Sequence, residues 1–233
     1  MRITRLQGLL AAAAGVALVA TMYGGLVWAP TERTMGDIQR IFYVHVPSAW
    51  MAFLAFFGVF VASVAYLLTK NLKWDRLGLA CAEIGTLFCT AVLITGPIWA
   101  KPVWGIWWTW DARLTSTLIL WLLYLSYLLL RDFLEEPARR ATLAAIFGIF
   151  SFVDVPIVYF SIRIWRTQHP QPVVMGGEDS GLDPSMGWVL LLSWAAFLIL
   201  STLLVILRVR LERGREEVRE LRRRWMLQSE PRA

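Results

Sequence analysis

The chain has 233 residues, 58% of them hydrophobic and 17% charged, with a formal net charge of +6. A soluble domain of this size cannot hide so much apolar surface, which makes the lipid bilayer the expected solvent. The basic excess belongs to the bilayer faces, and no nucleic acid is expected as a partner.

Six apolar stretches are long enough to cross a hydrocarbon core that needs about 20 residues: 9–29, 49–69, 77–99, 114–130, 141–162 and 187–207. In hydrocarbon each backbone group must find its partner within the segment, so all six are expected to be helices. The expected fold is an all-α integral membrane protein, one polytopic domain over 1–233 with a tryptophan-rich outer loop. Arg2 and Arg5 precede the first stretch, so a cleaved signal peptide competes with a membrane anchor there. The apolar run exceeds the usual length of about 7–15 residues, which favours the anchor.

Lys and Arg set the expected orientation. Arg2, Arg5, Lys70, Lys73, Arg76, Arg131, Arg139, Arg140 and the nine arginines from Arg208 onward fall on one side. Arg33, Arg40, Lys101, Arg113, Arg163 and Arg166 fall on the other. The positive-inside rule then places both termini in the cytoplasm. Segment 31–48 reads as a short helix carrying Ile38, Ile41, Phe42 and His45 at helical spacing. Segment 163–186, with Pro170, Pro172, Pro184 and the Gly176-Gly177 pair, reads as an irregular loop. The basic tail, 209–233, continues the last span as a charged helix with Val218, Leu221 and Trp225 on one stripe; it is expected to lie on anionic lipid.

The unusual chemistry collects on the outer side. The only two histidines, His45 and His169, lie in the first and third outer segments and therefore on one face. Val46-Pro47 after His45 marks an expected helix boundary, and His169 sits in the stiffened run Gln168-His169-Pro170-Gln171-Pro172. A lone histidine is usually structural, but two at one depth could fill both axial positions of a haem iron. Zinc or copper stays open, although each normally takes additional Cys, Met or carboxylate ligands. Cys81 and Cys89 form neither a CxxC pair nor a CxxCH attachment site, so any haem would be held non-covalently.

Between the histidines, five of the 13 tryptophans fall within twelve consecutive residues, from Trp99 to Trp110. Tryptophans anchor every bilayer interface. This cluster also offers flat, rigid apolar surface with N–H donors, suited to a planar ligand such as porphyrin. Lys101 and Arg113 flank it and could pair with propionates or simply snorkel. Asp111 is an expected N-cap and could also orient a group of the platform. Within the spans, Asp154, followed by Pro156, is either a functional carboxylate or a structural hydrogen-bonding group. Glu83 lies near enough to the cytoplasmic face to reach headgroups.

At these residues the chain resembles CcmC, the haem-handling membrane family of bacterial cytochrome c maturation. The resemblance rests on Trp104-Gly-Ile-Trp-Trp-Thr-Trp-Asp-Ala-Arg-Leu-Thr115, a WWD motif, and on Arg40-Ile-Phe-Tyr-Val-His-Val-Pro-Ser-Ala-Trp-Met51. Family members often carry Trp-Trp and Leu-His-Gln-Pro at the second histidine, where this chain has Ile164-Trp165 and Gln168-His169-Pro170-Gln171-Pro172. The resemblance implies a bacterial inner-membrane protein that is not an enzyme and presents b-type, non-covalent haem at the periplasmic face. Trp104, Gly105, Trp107, Trp108, Trp110 and Asp111 would form the platform, with Lys101 and Arg113 beside it and His45 and His169 on the iron. It further implies delivery to the haem chaperone CcmE, and work alongside CcmA, CcmB and CcmD.

Two other classes compete. An ion-coupled transporter would use Asp154 and Glu83, but it predicts clustered mid-membrane acids and internal symmetry, and the sequence has neither. A membrane-embedded enzyme would need a nucleophile with an adjacent base, and no such pattern occurs.

Overall fold

The structure, a computed structural model, describes residues 3–165, 167–169 and 182–229. Arg2, Arg166, Arg232 and segment 170–181, with Pro170, Pro172, Met175 and the Gly176-Gly177 pair, lie outside the described residues. The α-helices are α1 (Arg5–Tyr23), α2 (Phe42–Thr69), α3 (Leu72–Trp104), α4 (Ala112–Asp132), α5 (Pro137–Phe152), α6 (Asp154–Ile164) and α7 (Pro184–Ser229). Among the described residues six helical stretches are long and apolar enough to cross a membrane, with α5 and α6 together making the fifth. The protein is an all-α, multi-pass membrane protein. Successive spans alternate direction, so the bundle has a basic end, which carries both chain ends, and a tryptophan end.

Local chemistry sets the helix boundaries more finely than hydropathy does. A reciprocal capping box of Thr4 and Gln7 starts α1. Asn71, Asp111 and Glu136 cap α3, α4 and α5 through their side chains, and Pro137 occupies the first turn of α5. At the end of α3, Gly105 adopts φ 78, the left-handed conformation that frees its N–H for the Lys101 carbonyl.

Several expectations are corrected. Segment 31–48 is not a separate short helix: a 3-10 turn at Asp37–Ile41 leads directly into α2, and His45 lies on its first turn. Pro47 does not mark a boundary but lies inside α2, fully buried. Its missing N–H leaves only the Tyr43 carbonyl unmatched near the helix start, and packing overrides the local preference. Pro97 and Pro102 likewise lie within α3, which therefore carries Trp99 and Trp104 on its last turns. The fifth span breaks at Val153, because Pro156 cannot donate to the Phe152 carbonyl. As expected, the tail continues the last span as a charged helix: α7 is one helix of 46 residues, and Arg76 of α3 grips Glu216 at 2.7 Å.

The core lies between α2, α3 and α4, where Phe56 stacks on Tyr124 at 3.7 Å. Gly85 makes that approach possible, because a Cβ there would stand 2.6 Å from Phe56 Cδ1. Two further ion pairs pin the basic end. Arg131 of α4 clasps Asp75 of α3 at 2.5 and 2.7 Å, both side chains being 5% exposed. Arg208 of α7 holds Glu83 of α3, one of its two contacts measuring 2.8 Å. At the other end Arg40 donates to the carbonyls of Gly25 and Ala29, closing the π-helical turn Gly24–Trp28 that extends α1.

Candidate functional site

The tryptophan end gathers the expected site residues from five elements, Arg113 coming from α4. α2 brings His45, and the end of α3 brings Trp99, Lys101 and Trp104. The 105–111 connection brings Trp107, Trp108, Trp110 and Asp111, and the short segment after α6 brings His169. Trp107 is 58% exposed and Trp110 76%, so neither belongs to the packed core. Trp108 meets Trp110 edge-on at 5.8 Å. Its indole N–H is buried and has no hydrogen-bond partner among the described residues, nor does the Thr115 hydroxyl.

His45 is half-buried against α3. Its Nδ1 lies 2.8 Å from the hydroxyl of Thr95, and Trp99 meets its ring edge-on with the ring centroids 5.7 Å apart. Trp99 in turn packs against Phe42 at 6.2 Å, beside the apolar cluster of Ala29, Tyr43, Met186, Val189 and Leu190. Met186 is buried in that cluster and is therefore not an open ligand. His169 and Arg113 both stand close enough for their charge to act on the His45 ring, so the fold brings the two histidines into one neighbourhood. Among the described residues, no group of three or more His, Cys, Asp and Glu gathers as a metal site would require.

Asp111 ties the platform to the second histidine segment. One carboxylate oxygen accepts from the N–H groups of Arg113 and Leu114 at 2.9 and 3.1 Å, the capping role expected of it. The other accepts from the Thr109 hydroxyl at 2.7 Å. Thr167 stands near enough to help lower the Asp111 carboxyl, and its hydroxyl oxygen accepts from the His169 N–H at 3.0 Å. Burial pushes the Asp111 carboxyl upward, but these donors outweigh it and hold it below the usual carboxylate range. Thr109, Asp111, Thr167 and Gln168 line an open cleft of about 490 Å³ beside the tryptophans.

The two flanking cations point to protein carbonyls. Lys101 donates to the Gly105 carbonyl at 2.8 Å and remains exposed. Arg113 donates to the carbonyl of Val158 on α6 at 2.5 Å. Away from this end, Cys81 and Cys89 are buried free thiols. Asp154 is buried at the α5–α6 break, and one of its oxygens has no partner among the described residues. Sequence reading missed Thr95, Thr109 and Thr167. The only available signal was their hydroxyl, which in a helix or turn usually bonds its own backbone.

The family profile of Heme exporter protein C, CcmC, matches residues 2–224. That decides the family. The chain belongs to the CcmC family. Heme exporter protein C of Bradyrhizobium diazoefficiens is 36% identical over 212 residues, spanning 91% of this chain and 80% of that protein. Heme exporter protein C of Escherichia coli K12 is 34% identical over 217 residues, spanning 91% and 87%. A ccmC-like mitochondrial protein of Marchantia polymorpha is 38% identical over 185 residues, spanning 79% and 78%. In CcmC terms, the WWD motif runs from the last residue of α3 to the first turn of α4, and the first histidine segment is the start of α2.

Proposed function

We propose that this CcmC-family chain is a single-domain inner-membrane protein that handles haem for cytochrome c maturation. It holds the haem non-covalently at the tryptophan end, which faces the periplasm. Haem is the cargo, not a resident cofactor. His45 and His169 supply axial imidazoles, while Trp104, Gly105, Trp107, Trp108, Trp110 and Asp111 form the face against the porphyrin. Lys101 and Arg113 meet the propionates by leaving their carbonyl partners. The loaded protein delivers haem to the chaperone CcmE and works beside CcmA, CcmB and CcmD.

One observation carries this reading: His45 packs against Trp99 at the tryptophan end, within electrostatic reach of His169, the only other histidine in the chain. Two imidazoles match the two axial positions of haem, whereas a structural zinc takes four ligands. The unpaired indole N–H of Trp108 is a further donor for a polar cargo. The ion-coupled transporter is less well supported, because Arg208 takes up Glu83 and leaves Asp154 without the second carboxylate it would need.

The test is the visible spectrum of the purified protein titrated with haem. A specific Soret band that saturates, with all the haem extracted by acid–acetone, is expected. A preparation that shows only free haem at saturation would overturn the reading.

A further inference from the structure

Beyond the choice of ligands lies the question of which nitrogen His45 presents. A neutral imidazole carries one proton and one lone pair, and only the nitrogen with the lone pair can bind iron. Which of the two is bare depends on the hydrogen bond the other one makes.

At Thr95 the donor and acceptor roles are constrained. Its hydroxyl has a single proton, and the Ala91 carbonyl one turn back lies 2.7 Å away to receive it. With that proton on Ala91, the contact of 2.8 Å with His45 Nδ1 runs the other way, the ring N–H donating to the Thr95 oxygen. The chain Nδ1–H to hydroxyl to Ala91 carbonyl uses every proton once. It leaves Nε2 bare.

The same face of α3 holds the ring in place. A Cβ on Gly96 would make ordinary contact with the ring, 3.5 Å from Cε1, and Trp99 closes one side edge-on at an interplanar angle of 78°. Thr95, Gly96 and Trp99 thus form a slot on one turn of α3 that receives a side chain from α2.

Resting on the haem-handling reading above, we infer that Thr95 is a positioning residue that fixes His45 in the tautomer whose Nε2 is free for iron. The hydrogen bond also feeds electron density into the ring, which strengthens the iron bond and favours ferric over ferrous haem. Partners of this kind typically change metal affinity by about 10- to 100-fold when removed.

Two measurements on the full-length protein test this. The first needs no haem. With only two histidines in the chain, ¹⁵N-histidine labelling gives two resolvable rings in the protein held in detergent. In the wild type His45 should carry its proton on Nδ1. Thr95→Ser should preserve that tautomer, and Thr95→Val, close in shape but without the acceptor, should lose it. A wild-type His45 protonated on Nε2 overturns the inference.

The second uses added haem. Thr95→Val should release haem to apomyoglobin about 10- to 100-fold faster and raise its midpoint potential, with Thr95→Ser staying near the wild type. Thr90→Val on the same helix is the control, because Thr90 accepts from the Trp121 indole and does not touch His45. Equal release rates and potentials for the wild type and Thr95→Val overturn the inference. If the wild type itself binds no haem through His45, the haem-handling reading fails, while the labelling experiment still decides the tautomer.

Discussion

The two ends of the bundle treat their polar groups in different ways. At the basic end, charge is met by charge. Arg131 closes on Asp75, Arg208 on Glu83 and Arg76 on Glu216, so α3, α4 and α7 are joined by side chains that have little left to offer. At the tryptophan end, apart from the Arg40–Asp37 pair with its exposed carboxylate, the partners are hydroxyls and backbone carbonyls. His45 meets Thr95, Lys101 meets the Gly105 carbonyl, Arg113 meets the Val158 carbonyl, and Trp108 meets no protein acceptor among the described residues. Neutral partners hold geometry without cancelling charge. The basic end is therefore built to stay shut, and the tryptophan end keeps its chemistry available.

The comparison can be broken at its strongest points. Replacing both His45 and His169 by Ala should abolish specific haem ligation and stop transfer to the chaperone, with the basic end and the fold intact. Each single variant should show altered axial coordination, partly restored by added imidazole. A double variant with the wild-type absorption spectrum would mean that the tryptophan end does not supply the ligands.

At the opposite end Arg131→Ala should destabilise the protein by about 3–5 kcal/mol, because Asp75 is left buried and unpaired. Thermal unfolding in detergent measures this, and a joint replacement of both residues by apolar side chains of similar volume should recover much of the loss. A single variant as stable as the wild type would contradict the account of that end.

A smaller effect is expected at Asp111. Asp111→Ala should cost about 1 kcal/mol of local order, while Asp111→Asn keeps an acceptor and should cost little. Because the folded state lowers this carboxyl, its contribution is fully present above the ordinary carboxylate range and is lost as the pH falls through the lowered folded value. Tryptophan fluorescence of the wild type should therefore change on acidification, and that of the Asn variant should change less. If Asn loses haem as completely as Ala, charge rather than capping is the operative property.

The smallest effect is expected far along α7. The pair Arg213–Glu217 is mostly exposed, and Arg213→Gln should shift stability by no more than about 0.5 kcal/mol. A larger loss would place that stretch of helix in a contact beyond the bundle.

Hydropathy was enough to read the six spans, because a membrane helix needs only length and apolar content. It could not see that α2 begins at Phe42 and α3 runs on to Trp104, since caps and tryptophans score as interface rather than helix. Proline misled in both directions. Pro47 suggested a boundary that buried packing overrides, and Pro156 marked a true break at Val153. Arg131 reads in sequence as one more loop cation, yet it is among the most buried charges of the bundle, because its partner Asp75 lies 56 positions away. The same limit hides Thr95, which contacts His45 across 50 positions and looks in sequence like any hydroxyl of an apolar helix. The tryptophan cluster and the histidine pair were legible because their composition is unusual; the hydroxyls that hold them were not.

Asp111 caps the first turn of α4 and stands beside Thr167, whose hydroxyl oxygen accepts from the His169 N–H. On the haem-handling proposal, drawing His169 inward would bring Thr167 toward Asp111 and steady the first turn of α4, and by reciprocity an ordered α4 would make the second ligand cheaper to recruit. The two halves of the site would then order as one cooperative unit, with a single aspartate as its hinge pin.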